Sequence, residues 1–167
     1  FIGAFASYGY RKDPVDGHRI IIDPEAAGVV REIFRRKLEG QSDTAITRWL
    51  NTAGVPSPGC YRYQKGIILD KRFARYKPWL VQSVKDILRN EVYLGHMVQG
   101  RRRSEFYAGR PDKRLPRDEW TVVENTHEPI ISREDFDAVQ AICAEKNAAY
   151  HARLGKYDYL GKSENIL

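Results

Sequence analysis

Residues 40–58 read GQSDTAITRWLNTAGVPSP. Ser42 or Asp43 stands where a helix cap belongs, and Ala45, Ile46, Trp49 and Leu50 recur at helical spacing. Gly54 stops the helix, and Pro56 and Pro58 keep it from resuming. A short capped helix that leaves through Gly-Val-Pro predicts a helix-turn-helix-like unit with a helical core. Arg48 is the one cation on this helix. The wide apolar stripe makes it a supporting helix, with Trp49 in the core.

The neighbouring segments extend this reading. Upstream, residues 7–24 predict a β-hairpin turning at Asp16-Gly17. A helix follows, capped by Asp23, opened by Pro24 and closed by Gly40. Val29, Val30, Ile33, Phe34 and Leu38 form its inner face. Downstream, residues 59–77 read as a long connection with a short strand at Gly66–Leu69. Pro78 then opens a second candidate helix over residues 79–89. Leu80, Val81, Val84, Ile87 and Leu88 point inward, and Gln82, Ser83, Lys85, Asp86 and Arg89 outward. Asn90 is expected to end it in the left-handed conformation. Strands are predicted at residues 92–100 and 120–125. A last helix is capped by Ser132, with Glu134 and Asp135 in its first turn and Phe136, Val139, Ile142 and Cys143 inside. The fold class is therefore α+β, with three or four helices on a small antiparallel sheet. Residues 1–145 form the expected domain and 146–167 a polar linker.

The chain has 167 residues, 42% apolar and 30% charged, with a net charge of +6. The charge is uneven. Residues 54–78 carry six cations and one anion, and residues 99–117 carry seven cations and two anions. Each segment is net +5, so the rest of the chain sums to −4. Two such segments flanking one helix point to an anionic partner. Arg62, Lys65, Lys71, Arg72, Arg75 and Lys77 precede that helix. Arg101, Arg102, Arg103, Arg110, Lys113, Arg114 and Arg117 follow it. Tyr61, Tyr63, Tyr76 and Tyr107 are interleaved, suited either to sugar and phosphate or to the core.

No catalytic constellation stands out. Ser42 suits a cap and Ser57 a Pro-Ser-Pro turn. His18, His96, His127 and His151 are scattered, and with Cys60 and Cys143 they give no metal-ligand spacing. Glu134, Asp135 and Asp137 cluster at a helix start, where the dipole favours them. No glycine-rich phosphate loop occurs, so neither a metal nor a cofactor is expected. The apolar runs are shorter than the ~20 residues of a membrane-spanning helix. Two cysteines 83 residues apart suggest no disulfide framework, and a cytoplasmic setting is expected.

The order of motifs resembles a known family. YGY at residues 8–10 precedes DPEAAGVVREIF (23–34), GQS (40–42) and LNTAGVPSP (50–58). Then come WLVQSVKDILRNEVYLG (79–95), a basic segment, and HEPIISREDFDAVQ (127–140). This set, over roughly residues 7–145, resembles the recombinase domain of large serine recombinases, the integrases and resolvases of mobile elements. The resemblance implies double-stranded DNA as partner, read at half of an attachment site. It implies strand cleavage by a serine in a separate N-terminal domain, a four-cysteine zinc ribbon after the tail, and assembly with other protomers through those parts. This chain would then be a non-catalytic, monomeric piece of a longer protein. A stand-alone helix-turn-helix transcriptional regulator is the alternative. A self-contained nuclease would need an acidic or histidine cluster.

Overall fold

The computed structural model describes residues 5–105 and 110–155. It is α+β, as the patterning predicts. The described residues form five helices and three separate antiparallel strand pairs rather than one small sheet.

Strands β1 (Tyr10–Lys12) and β2 (Ile20–Ile22) make the expected hairpin. The Asp13 and Asp16 carboxylates close its loop by accepting from the Val15 and His18 amides. Helix α1 (Pro24–Leu38) follows directly, and Pro24 costs nothing there because the first-turn N–H has no helical partner. Asp23 stands at the cap position, but its carboxylate does not cap. It accepts the Tyr61 hydroxyl at 2.8 Å instead. Helix α2 (Asp43–Thr52) is the stretch at 40–58. Ser42 caps it, its hydroxyl accepting from the Ala45 amide at 3.1 Å. Ile46 and Leu50 are fully buried. Trp49 packs on the edge of the core, and the Arg36 guanidinium lies 3.8 Å over its ring.

Four expectations need correcting. Residues 59–77 contain a helix, α3 (Pro58–Gln64), and a 3-10 turn at Lys71–Phe73, and Gly66–Leu69 is not a strand. The helix predicted over residues 79–89, α4, spans Val81–Leu88 and begins later than Pro78 predicts. Residues 92–100 divide into a 3-10 turn at Glu91–Leu94 and a strand, β3 (Met97–Gln99). Asn90 is extended, not left-handed, and its side chain accepts from the Val92 amide.

Strand β3 pairs with β6 (Thr121–Val123). Between them β4 (Arg102–Glu105) pairs with β5 (Arg110–Arg114), so the second basic segment holds a strand pair. Helix α5 (Arg133–Gly155) starts at Ser132, whose hydroxyl accepts from the Asp135 amide at 3.1 Å. It is continuous past residue 145 to Gly155, so residues 146–155 of the expected linker are helical. Residues 156–167, and with them the rest of the predicted linker, lie outside the described residues. No helix among the described residues is long and apolar enough to cross a membrane.

One core joins these elements. Val30, Ile33 and Phe34 of α1, Ile46 and Leu50 of α2, Val84 and Leu88 of α4 and Val139 of α5 are all but completely buried. Each such side chain contributes roughly 1.5–3 kcal/mol. Leu38 is exposed. The inner place in the last turn of α1 belongs to Lys37, 1% exposed, whose ammonium lies 2.5 Å from the Asp43 carboxylate. The Tyr8-Gly9-Tyr10 segment is buried against Tyr61, Trp79 and Tyr93. Gly9 has φ +98°, and a Cβ there would meet Ile130 Cδ1 at 2.9 Å, so only glycine lets both tyrosines turn inward. Burial pushes the Tyr8, Tyr10 and Tyr93 phenols up, keeping them neutral.

His127 joins the 126–131 segment to this core. Its Nε2 lies 2.8 Å from the Val92 carbonyl, and its ring meets Tyr10 edge-on at 4.7 Å. Burial holds its pKa below 6.5, and neighbouring His96 pushes the same way, against the Val92 carbonyl. The unfolded chain therefore takes up a proton more readily. Stability from this group is complete above about pH 6.5 and is lost as pH falls towards the lower folded value. Urea midpoints at pH 7.5 and 5.0 should fall further for the wild type than for His127→Gln. Equal falls would remove His127 from the acid response.

Candidate nucleic-acid interface

Helix α4 is tied down at both ends, and each tie belongs to one of the basic segments. At its start, Asn51 at the end of α2 grips the incoming chain. Its Oδ1 accepts from the Trp79 amide at 2.8 Å and from the Tyr76 hydroxyl at 3.0 Å, while its Nδ2 donates to the Trp79 carbonyl at 3.2 Å. The Trp79 indole N–H donates to the Val55 carbonyl at 3.0 Å. The Lys77 amide donates to Cys60 Sγ at 3.3 Å, so α3 holds the same segment from behind. Val84, Ile87 and Leu88 then bury one face of α4 against α1, α2 and α5. Gln82 and Arg89 are exposed, and Ser83 and Lys85 half-buried. Gln82 Nε2 donates to Asp86 Oδ1 at 2.7 Å along the outer face.

At the other end, Asn90 Oδ1 accepts from the Arg101 guanidinium at 2.9 Å. The next residue, buried Glu91, accepts the Arg117 guanidinium on both carboxylate oxygens. Arg101 and Arg117 both lie over the Trp120 ring, 5.3 and 5.9 Å from its centre. Trp120 in turn donates to the Leu115 carbonyl at 2.9 Å. Arg101 and Arg117 thus form the root of the β4–β5 pair and fix it beside the end of α4. Beyond the root, the register sets Arg102 opposite Arg114, Arg103 opposite Lys113 and Glu105 opposite Arg110. Arg102, Arg103, Arg110, Lys113 and Arg114 therefore share one short ribbon with Glu105 and Asp112.

The first basic segment divides differently. Arg62 reaches inward, half-buried, and donates to the Ala6 carbonyl at 3.0 Å. Lys65 pairs with Glu25 at 2.6 Å, and Arg72 with Asp70 at 2.7 Å. Lys71, Arg75 and Lys77 are exposed, with the Lys77 ammonium 4.8 Å from the Phe73 ring. Among the tyrosines, Tyr61 is buried on Asp23, and Tyr76 is exposed at the start of α4. Tyr107 lies outside the described residues.

The structure thus brings Gln82, Ser83 and Lys85 onto one helix with Arg89 at its C-cap, Arg75 and Lys77 leading into it and the ribbon at its far end. Arg62 and Arg101 serve as internal ties. Counting charge along the chain missed this because it cannot see partners. It also missed Asn51, for which the Leu-Asn-x-x-Gly run at 50–54 was the available signal. Ser42 and Ser57 stand at helix starts, and no group of three or more His, Cys, Asp or Glu among the described residues could hold a metal ion.

The model of the recombinase family matches residues 24–146. The chain belongs to the recombinase family. This recombinase-family chain is 31% identical over 84 residues to the uncharacterized protein YefB of Bacillus subtilis (strain 168), over 48% of this chain and 28% of that protein. Its fold is similar to that of a chain in the crystal structure of an LSR–DNA complex, with TM-score 0.50 and 22% identity, over 83% of this chain and 32% of that one. A chain from a structure concerned with sequence requirements of the Listeria innocua prophage attP site aligns with TM-score 0.49 and 22% identity, over 96% of this chain and 48% of that one. The chain spans less than half the length of each of these proteins. The region matched to the family begins at the first residue of α1 and ends inside α5, so it contains α4 and both basic segments.

Proposed function

We propose that the chain is the DNA-binding module of a serine site-specific recombinase, recognising half of an attachment site during integration or excision of a mobile element. One observation carries the reading: a single helix with exposed polar side chains is anchored between two cationic segments, one bonded to each end. A helix held in this way can enter a major groove while the flanking cations meet the phosphates on either side. Gln82 and Arg89 have the donors and acceptors to address base edges. Arg75, Lys77 and the ribbon residues Arg102, Arg103, Arg110, Lys113 and Arg114 are assigned to phosphates. Family membership supports the assignment, as does the similar fold of a chain found in an LSR–DNA complex. Strand cleavage and assembly with other protomers are assigned to other parts of a longer protein.

The test is fluorescence anisotropy with labelled duplex between 50 and 300 mM salt. The chain should bind, and log K should fall linearly with log salt at a slope of about −0.9 for each phosphate contacted. Absence of binding at 50 mM salt, or affinity indifferent to salt, would overturn the reading.

A further inference from the structure

We propose that Leu80 is a specificity-determining residue that reads a thymine through its 5-methyl group. The inference rests on the DNA-binding reading of α4 and names a contact within it. Leu50 and Leu88, on the inner faces of α2 and α4, are buried. Leu80 is 63% exposed. Its backbone is extended, at φ −102° and ψ 148°, because it is the N-cap residue of α4 and not its first turn. That conformation takes it off the inner stripe of Val84, Ile87 and Leu88.

The position is fixed from both sides. On one side Trp79 is held by Asn51 and Val55. On the other, the Leu80 carbonyl accepts from the Ser83 amide at 3.0 Å. An exposed leucine on so constrained a backbone loses little freedom on meeting a surface. The N-terminal end of a groove-reading helix is also the end that approaches base edges.

The surroundings select the occupant. Arg75 and Lys77 are exposed just before Leu80, and Tyr76 between them is 59% exposed. An apolar tip within a cationic rim fits a polyanion that presents an apolar group. In the major groove the thymine methyl is that group. Gln82, two residues on, carries the amide that pairs with adenine N6 and N7. It would leave Asp86, its present partner, to do so. Leu80 and Gln82 together therefore favour A·T pairs under the start of α4.

The experiment is selection from a random-sequence duplex pool with the full chain, wild type and Leu80→Ala, followed by replacement of each selected thymine with deoxyuridine. The wild type should enrich a site containing a thymine whose replacement weakens binding about four-fold, the factor for one buried methyl group. Leu80→Ala should melt like the wild type, lose that thymine from its selected site and be indifferent to the deoxyuridine. If both proteins select the same site with the same deoxyuridine penalties, Leu80 reads nothing. The same holds if Leu80→Ala binds more weakly with its base preferences unchanged. If the wild type retains no duplex from the pool, the DNA-binding reading itself fails.

Discussion

Exchanging Arg102, Arg103, Lys113 and Arg114 together for glutamine should weaken duplex binding on the order of 10²–10³-fold at 0.15 M salt. Each phosphate contact releases about 0.9 of a counterion, worth roughly a factor of five in affinity at that salt concentration. Four lost contacts multiply to the stated range, and the slope of log K against log salt should become shallower by roughly 3–4. The register of β4 and β5 makes these four the natural set, since they form two facing pairs on one ribbon. Arg101 and Arg117 are left intact because they hold the root through Asn90 and Glu91. The loss should be nearly equal on all sequences, since phosphates carry no base identity. An unchanged slope would take the ribbon off the DNA and shift the phosphate contacts to the cations of α4 and of the segment before it.

Asp43→Ala should destabilise the fold by about 3–5 kcal/mol, the usual cost of leaving one partner of a buried ion pair uncompensated. Lys37 is 1% exposed, and Asp43 is the carboxylate bonded to its ammonium. The pair joins the last turn of α1 to the first turn of α2. Its loss should loosen the supporting helix and with it the start of α4. Replacing both residues, as Lys37→Met with Asp43→Ala, should recover much of the loss because no unpaired charge remains. Urea denaturation of the three proteins checks this. An Asp43→Ala midpoint within experimental error of the wild type would show that water reaches the ammonium.

The helices that announce themselves in the sequence do so through local chemistry. Ser42 and Ser132 are caps in both the pattern and the structure, and Gly40 and Gly54 close α1 and α2 with positive φ. Helix α3 starts at Ser57 and Pro58, but Ser57 makes no capping bond and the Pro-Ser-Pro run reads as a turn. Its side chains are held by partners far along the chain: Tyr61 by Asp23, Arg62 by Ala6, and Cys60 by the Lys77 amide. Leu80 was assigned inward because 80, 84 and 87 share a helical face. The helix begins one residue later, so the periodicity does not apply to it. Lys37 was hidden for the opposite reason, since nothing in a run of Arg-Arg-Lys marks one cation as buried. Charge totals located both basic segments, but only tertiary partners separate the ties, Arg62 and Arg101, from exposed cations such as Arg75 and Lys77.

The Asn51 grip on Trp79 has a consequence for how this module can diversify. It closes residues 52–78 into a loop whose two ends are pinned together by the Asn51 side chain on the Trp79 backbone. Doubling the length of such a loop costs only about 0.6 kcal/mol in closure entropy. Insertions, deletions and changes of charge between Gly66 and Ala74 can accumulate there without altering the angle at which α4 is presented. On the proposed DNA-binding reading, the loop can therefore change while the base contacts of α4 and the phosphate contacts of the ribbon stay in place.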